Sequence, residues 1–135
     1  MTGLCAMLIL LAPGAIGEEY PVRNIAGVVQ WGAGGGTDSL LRALCTAAEK
    51  ELGVSLVVTN VTGGGGATGH AAIKEAAADG YTVGMITFEL TTLSVQGLIP
   101  FTFEDIDPIL CVNMDAAIIP FPADAPYSTS EEFVT

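Results

Sequence analysis

Between residues 24 and 44 the hydrophobic period of the chain changes, and the change falls on a run of glycines. Ile25, Val28 and Val29 make a short apolar stretch suited to a buried strand, whereas Leu40, Leu41, Leu44 and Ala48 recur at helical spacing. Trp31, Gly32, Ala33, Gly34, Gly35, Gly36, Thr37 and Asp38 join the two in that order. A glycine turn at such a junction leaves main-chain N–H groups unobstructed. The positive end of the following helix adds to their pull, so an anion can be held there by backbone alone. The same glycines also suit a plain tight turn, with Thr37 or Asp38 as an ordinary N-cap. On these residues alone both readings stand.

Composition narrows the partners. The 135 residues are 50% hydrophobic, which is enough for one modest domain with a core. The formal net charge is −11, and Arg23, Arg42, Lys50 and Lys74 are the only fixed cationic side chains. Such a balance argues against nucleic acid or an anionic membrane surface as a partner. An anionic ligand would have to be captured locally, by amides and helix ends, against the long-range field. Because no Lys or Arg follows Lys74, the later half of the chain supplies acceptors but no cationic clamp.

Residues 1–17 form an apolar run containing Leu4, Met7, Leu8, Ile9, Leu10 and Leu11, closed by Ala15-Ile16-Gly17. The run is too short to span a bilayer, and its small closing residues suit cleavage before Glu18, so it reads as a secretory signal. No Lys or Arg precedes it, which leaves the N-terminal amine, or residues upstream of Met1, to supply the usual positive charge. Of the cysteines, Cys5 falls in this run, and Cys45 and Cys111 read as buried small hydrophobes whose pairing the sequence leaves open.

Further along, Gly53 suits the end of the first helix. Residues 55–61 read as a second strand, and a second glycine run, Gly63, Gly64, Gly65 and Gly66, leads through Gly69 into a helix over residues 70–78. Residues 81–88 are rich in β-formers and read as a third strand, with Thr87 near its carboxyl end. The alternation of strand and helix predicts an α/β fold, a parallel sheet with flanking helices. Ligands of such sheets sit beyond the carboxyl ends of the strands, where both glycine runs and Thr87 fall. A short helix over residues 89–98, an acidic loop with Glu104, Asp105 and Asp107, and apolar strands at residues 109–112 and 116–120 are expected next. Ser128-Thr129-Ser130-Glu131 has the pattern of a capping box and opens a last helix just before Thr135. That abrupt stop reads as the truncation, or the first part, of a longer protein.

A dinucleotide site competes with this reading, as does a structural fragment that binds no ligand. Gly64, Gly66 and Gly69 satisfy G-x-G-x-x-G between a strand and a helix, with Glu89 after the next strand, as in a dinucleotide site of a Rossmann-like oxidoreductase domain. Thr62 and Gly63 separate that motif from its strand, and neither run carries the lysine of a nucleotide-hydrolase phosphate loop. No residues are singled out as catalytic or as metal ligands: His70 is the only histidine, it reads as a polar helix residue, and the acidic loop lacks the spacing of a calcium loop.

Several pieces occur together in a recognisable order. Tyr20-Pro21, the strand at residues 25–29, Gly34-Gly35-Gly36-Thr37-Asp38 with Arg42, Asn60 and the glycine run to Gly69, Asp79-Gly80-Tyr81-Thr82, Phe103 and Asp107-Pro108-Ile109 resemble the substrate-binding proteins of tripartite tricarboxylate transporters, the Bug or TctC family. The resemblance implies the N-terminal part of a two-lobed type II periplasmic-binding-protein fold. Its first-lobe α/β domain would cover residues 18–113, and a truncated start of the second lobe residues 114–135. It implies a periplasmic receptor without cofactor or catalysis, one that captures a small carboxylate and delivers it to membrane subunits of the transporter. By position, Trp31, Gly32, Ala33, Gly34, Gly35, Gly36, Thr37, Asp38, Gly64, Gly65, Gly66 and Thr87 become the ligand-binding candidates. Trp31-Gly32 departs from the Pro-Phe or similar pair usual in the family, and full-length members are much longer. A lone half-site of this kind would bind weakly and expose apolar segments to self-association.

Overall fold

The computed structural model describes residues 19–116 and 118–134. The segment read as a secretory signal lies outside the described residues. Within them, the strands β1 (Ile25–Val29), β2 (Leu56–Asn60) and β3 (Thr82–Gly84) form one sheet in the order β2-β1-β3. Both pairings are parallel, with Ile25 opposite Leu56 and Ala26 opposite Thr82. The expected parallel sheet with flanking helices is what forms.

Helix α1 (Gly36–Leu52) follows β1. Its strong helix formers run until Gly53, which takes the left-handed conformation at φ 69° and donates its N–H to the Glu49 carbonyl 3.0 Å away. Leu41 and Cys45, one turn apart, are buried against Val29, with Leu56, Val58 and Met85 packed around them. A side chain at Gly27 would meet Leu41 and Val58, so α1 covers the sheet face of Ile25, Gly27 and Val29. The opposite face is covered by α2 (Ala67–Glu75), whose Ile73 lies against Gly84 of β3, the residue paired with Val28. Two helices on opposite faces mean that the connections from β2 and toward β3 reverse direction across β1. The topological switch point therefore falls between the carboxyl ends of β1 and β3, the usual ligand position in doubly wound sheets.

A second apolar cluster ties α3 (Glu89–Val95) to the loop segment C-terminal to it: Leu90, Leu93 and Ile99 are buried, and Ala67, Phe101 and Ile106 pack on them. The acidic loop forms a single 3₁₀ turn, Phe103–Asp105, closed by a capping box in which the Thr102 N–H donates to Asp105 at 2.8 Å and the Glu104 N–H to the Thr102 hydroxyl at 3.2 Å. Helix α4 (Ser130–Val134) is also present. Its capping hydroxyl belongs to Thr129, one residue later than the expected box, and accepts from the Glu132 N–H.

Other expectations need correction. The strand expected over residues 81–88 is only Thr82–Gly84; the Met85 N–H still reaches the Val28 carbonyl at 3.1 Å, after which the chain turns away into α3. The second helix starts and ends earlier than residues 70–78, because the glycine turn delivers helical backbone already at Ala67. Residues 109–112 and the described part of 116–120 form no strand. Apolar β-formers become a strand only against a free edge, and Ile109, Leu110, Ile118 and Ile119 lie unpaired and exposed. Cys111, expected to be buried, is consequently exposed, whereas Cys45 is buried as expected, and both are free thiols.

Candidate functional site

Because β1 and β2 run parallel, the loops that follow them leave from the same edge of the sheet, and the two glycine runs lie at that edge with Thr87. The loop after β1 is shaped by hydrogen bonds that the sequence does not announce. Gly35 is the N-cap of α1 and no side chain caps it, so neither Thr37 nor Asp38 serves as the ordinary cap. Asp38 instead reaches backward from the first helical turn and accepts the Gly34 N–H at 2.8 Å. The Gly35 N–H donates to the Gly32 carbonyl at 3.3 Å, and the Ser39 N–H to the Gly35 carbonyl at 2.9 Å.

Asp38 is only 3% exposed and has two further partners. The Arg42 Nε donates to its carboxylate at 3.0 Å and the Asn60 side-chain amide at 2.9 Å. That amide also donates to the Trp31 carbonyl at 2.8 Å, while the Arg42 guanidinium donates to the Asn60 side-chain oxygen at 3.1 Å. The Arg42 guanidinium first, then the Gly34 amide and the Asn60 amide, hold the Asp38 carboxyl down at about 2. A carboxylate so occupied braces the loop from beneath and has little left to offer a ligand. The N–H groups of Ala33, Gly36 and Thr37, by contrast, donate to no acceptor among the described residues, as expected for amides at the start of a helix.

The loop after β2 takes an unusual backbone. Gly63, Gly64, Gly65 and Gly66 all have positive φ, from 57° to 137°, a conformation that explains why four glycines stand in a row. The Gly66 N–H closes on the Gly63 carbonyl at 3.0 Å. Next comes the tightest contact of the site. A Cβ on Gly69 would stand 2.4 Å from the Gln30 Cβ and 2.6 Å from the Val61 carbonyl oxygen. Only glycine lets α2 settle this closely on the ends of β1 and β2.

Where β1 and β3 end, Thr87 ties them together. Its hydroxyl oxygen accepts from the Gln30 side-chain amide at 2.9 Å and from the Trp31 indole N–H at 3.3 Å. Of the candidate residues, Gly32, Ala33, Gly34, Gly35, Gly36, Gly64 and Gly65 are exposed, Trp31, Thr37 and Thr87 are half-buried, and Asp38 and Gly66 are buried. Sequence reasoning missed Gln30, placed Gly69 only in the dinucleotide motif and the family resemblance, and gave Asn60 and Arg42 no role beyond that resemblance. It also misjudged His70, which is fully buried, with its protonation disfavoured by burial despite the nearby Glu89. Two signals were readable: Asp38 and Arg42 stand at i,i+4, and Gly66, Gly69, His70 and Ile73 fall on one helical stripe. Among the described residues no group of three or more His, Cys, Asp or Glu side chains is arranged to hold a metal ion.

A parallel α/β layer with main-chain loops gathered at its topological switch point is an arrangement in which small ligands can be held by backbone donors. The comparisons name the family. The family model of TctC, the tripartite tricarboxylate transporter family receptor, matches residues 40–135, and the chain belongs to that family. BugT of Bordetella pertussis is 34% identical over 123 residues, which cover 84% of this chain and 38% of BugT. A UPF0065 protein from the gbd 5' region of Cupriavidus necator is 30% identical over 124 residues, 87% of this chain and 36% of that one. A TctC solute-binding protein from Polaromonas, crystallised without ligand, superposes with a TM-score of 0.70 at 43% identity, over 85% of this chain and 40% of its own. The chain thus spans well under half the length of these relatives. Gly69 would serve a dinucleotide motif equally well as a packing glycine, but the family is one of receptors and not of enzymes.

Proposed function

We propose that this chain forms the anion-capturing part of the first lobe of an extracytoplasmic receptor, which takes a small carboxylate and presents it to the membrane subunits of a tripartite tricarboxylate transporter. The observation that carries this reading is the braced loop after β1. Asp38, Asn60 and Arg42 lock its shape, while the amides of Ala33, Gly36 and Thr37 donate to no acceptor among the described residues. Exposed Gly32 to Gly36 let a carboxylate approach those amides, Trp31 and Gly64 to Gly66 wall the crevice, and Thr87 fixes the indole. Asp38 acts through the loop and not on the ligand, since two carboxylates in contact would repel.

Affinity from this chain alone is weak. Each bond from an amide to a carboxylate contributes about 1.5–3 kcal/mol, most of it offset by the lost freedom of association, and the open loop is solvated. Amide-resolved NMR titration suits millimolar affinity. Addition of succinate or citrate should shift the Ala33, Gly36 and Thr37 amides, with NAD leaving them in place. Shifts produced by NAD at Gly64 to Gly69, with none from carboxylates, would overturn the reading in favour of a dinucleotide site.

A further inference from the structure

Thr87 is fixed on all sides and still has a proton to give. Two residues before it the Met85 N–H bonds to the Val28 carbonyl at 3.1 Å, and its own carbonyl accepts the Leu90 N–H at 3.1 Å, so its backbone is held by β1 on one side and by the start of α3 on the other. Its hydroxyl oxygen accepts from the Gln30 side-chain amide at 2.9 Å and from the Trp31 indole N–H at 3.3 Å. A hydroxyl has one proton and two lone pairs. Both lone pairs are spent on protein donors, and the proton goes to no acceptor among the described residues. Thr46 and Thr92 show the ordinary alternative: each spends its proton on a carbonyl of its own helix, Arg42 at 2.9 Å and Glu89 at 3.0 Å.

The polarity of the Thr87 hydroxyl is therefore decided by its neighbours. An indole nitrogen only donates, and the Gln30 side chain that supplies the other donor is fully buried. An oxygen that already accepts two N–H bonds has nothing left for a third donor. Its proton, by contrast, becomes the better donor for them, since hydrogen bonds in a chain polarise one another. Thr87 itself is half-buried and not enclosed, and it stands just past β3, where the chain leaves the sheet. A group brought to it from outside is sorted by polarity: a carbonyl or carboxylate oxygen completes the hydroxyl, and an ammonium does not.

Resting on the carboxylate reading, we infer that Thr87 is a specificity-determining contact, a hydroxyl set as a donor by Trp31 and Gln30, which favours a ligand whose second polar group is an acceptor oxygen over one that carries an amine there. The net charge of −11 pulls the other way, toward the amine, so overall charge does not imitate the preference. Succinate and glutarate place a second carboxylate at two spans from the first, β-alanine and 4-aminobutyrate place an ammonium there, and propionate has neither. In amide-resolved titrations the wild type should bind at least one diacid roughly three- to tenfold more tightly than propionate, and neither amino acid more tightly than propionate. Thr87→Val should remove the advantage of the diacid and Thr87→Ser should keep it. Trp31→Phe, which frees one lone pair of the hydroxyl and keeps a ring in place, should narrow the gap between diacid and amino acid. Trp31 is the single tryptophan, so its indole N–H gives one signal, which the diacid should shift in the wild type and in Thr87→Ser while propionate leaves it in place; this readout carries the test if the valine variant does not fold. The Gln30 oxygen has no hydrogen-bond partner, and an amide turned end for end would take the hydroxyl proton on it. Thr87→Val would then cost no diacid affinity and the indole signal would not answer to the diacid, a result that overturns the inference. A wild type that binds β-alanine as tightly as succinate and 4-aminobutyrate as tightly as glutarate overturns it too. In both cases, shifts of the Ala33, Gly36 and Thr37 amides by propionate leave carboxylate capture standing. Absence of those shifts with every acid overturns the capture reading, and the Thr87 contact with it.

Discussion

Gly69→Ala is the sharpest perturbation of this site, and its effect has two opposed parts. In a helix interior the exchange normally stabilises by about 0.5–1 kcal/mol, through backbone entropy. At position 69 the new Cβ would stand 2.4 Å from the Gln30 Cβ, 2.5 Å from its Cα and 2.6 Å from the Val61 carbonyl oxygen, where ordinary contact begins at 3.4 Å. The deficit, 3.4 minus 2.4, is 1.0 Å. Two of the three opposing atoms are main chain and cannot rotate aside, so α2 as a whole must recede. Overpacking costs about 1–3 kcal/mol, and backbone opposition places this case near the top of that range. The net is a destabilisation of about 2 kcal/mol, or a fall in Tm of roughly 5–10 °C for a domain of this size. Urea unfolding followed by the fluorescence of Trp31, the single tryptophan, measures it. Gly36→Ala, with nothing within 4 Å of the added carbon, is the control and should leave stability unchanged or slightly raised. A Gly69→Ala chain as stable as the wild type would refute the close-packing argument.

Acid titration tests the brace. Because the folded pKa of Asp38, about 2, lies below its ordinary 3.8, its contribution is complete above the ordinary value and fades as pH falls through the folded one. The denaturant midpoint of Asp38→Asn should therefore trail the wild type at neutral pH and converge with it on acidification; a gap that stays constant down to that pH would contradict the hydrogen-bonded carboxylate. The contact of α2 with β3 is tested by a double-mutant cycle. Gly84→Ala puts a carbon 2.4 Å from the Ile73 Cδ1 and Cγ1 and should cost about 1–3 kcal/mol, whereas the same change in an Ile73→Ala background should cost clearly less. Strict additivity of the two substitutions would show that the residues do not meet.

The elements legible in the sequence were those whose pattern is set locally. β1 and α1 announce themselves by a change of period and by Gly53, and both appear where expected. What the sequence hid depends on neighbours distant along the chain. Residues 109–112 have the composition of a strand but do not pair with either edge of the sheet, β2 or β3. Residues 85–88 have it too, yet they leave the sheet to carry Thr87 to Gln30 and Trp31. His70 read only as a polar helix residue, and its burial goes with Gly69, whose missing side chain lets α2 close onto the strand ends. Asp38 was legible as part of the turn, either an N-cap or a ligand contact, but not in its direction: the carboxylate accepts from Gly34, Asn60 and Arg42, which no local rule specifies.

Under the proposed reading, that carboxylate bears on how a chain of net charge −11 could receive an anion at all. The described loop uses Arg42 on Asp38 and Asn60, so the cation nearest in sequence to the loop stabilises protein geometry and contributes little net field toward a ligand. What remains for the ligand is a set of amide dipoles at the start of α1, strong at contact distance and negligible beyond it. Capture of this kind does not draw anions in from afar. It discriminates by the position of oxygen atoms, because a dipole rewards alignment where a point charge rewards mere proximity. Under the proposed reading the lobe selects its ligand by where the carboxylate oxygens sit against the amides at the start of α1, and total charge decides little.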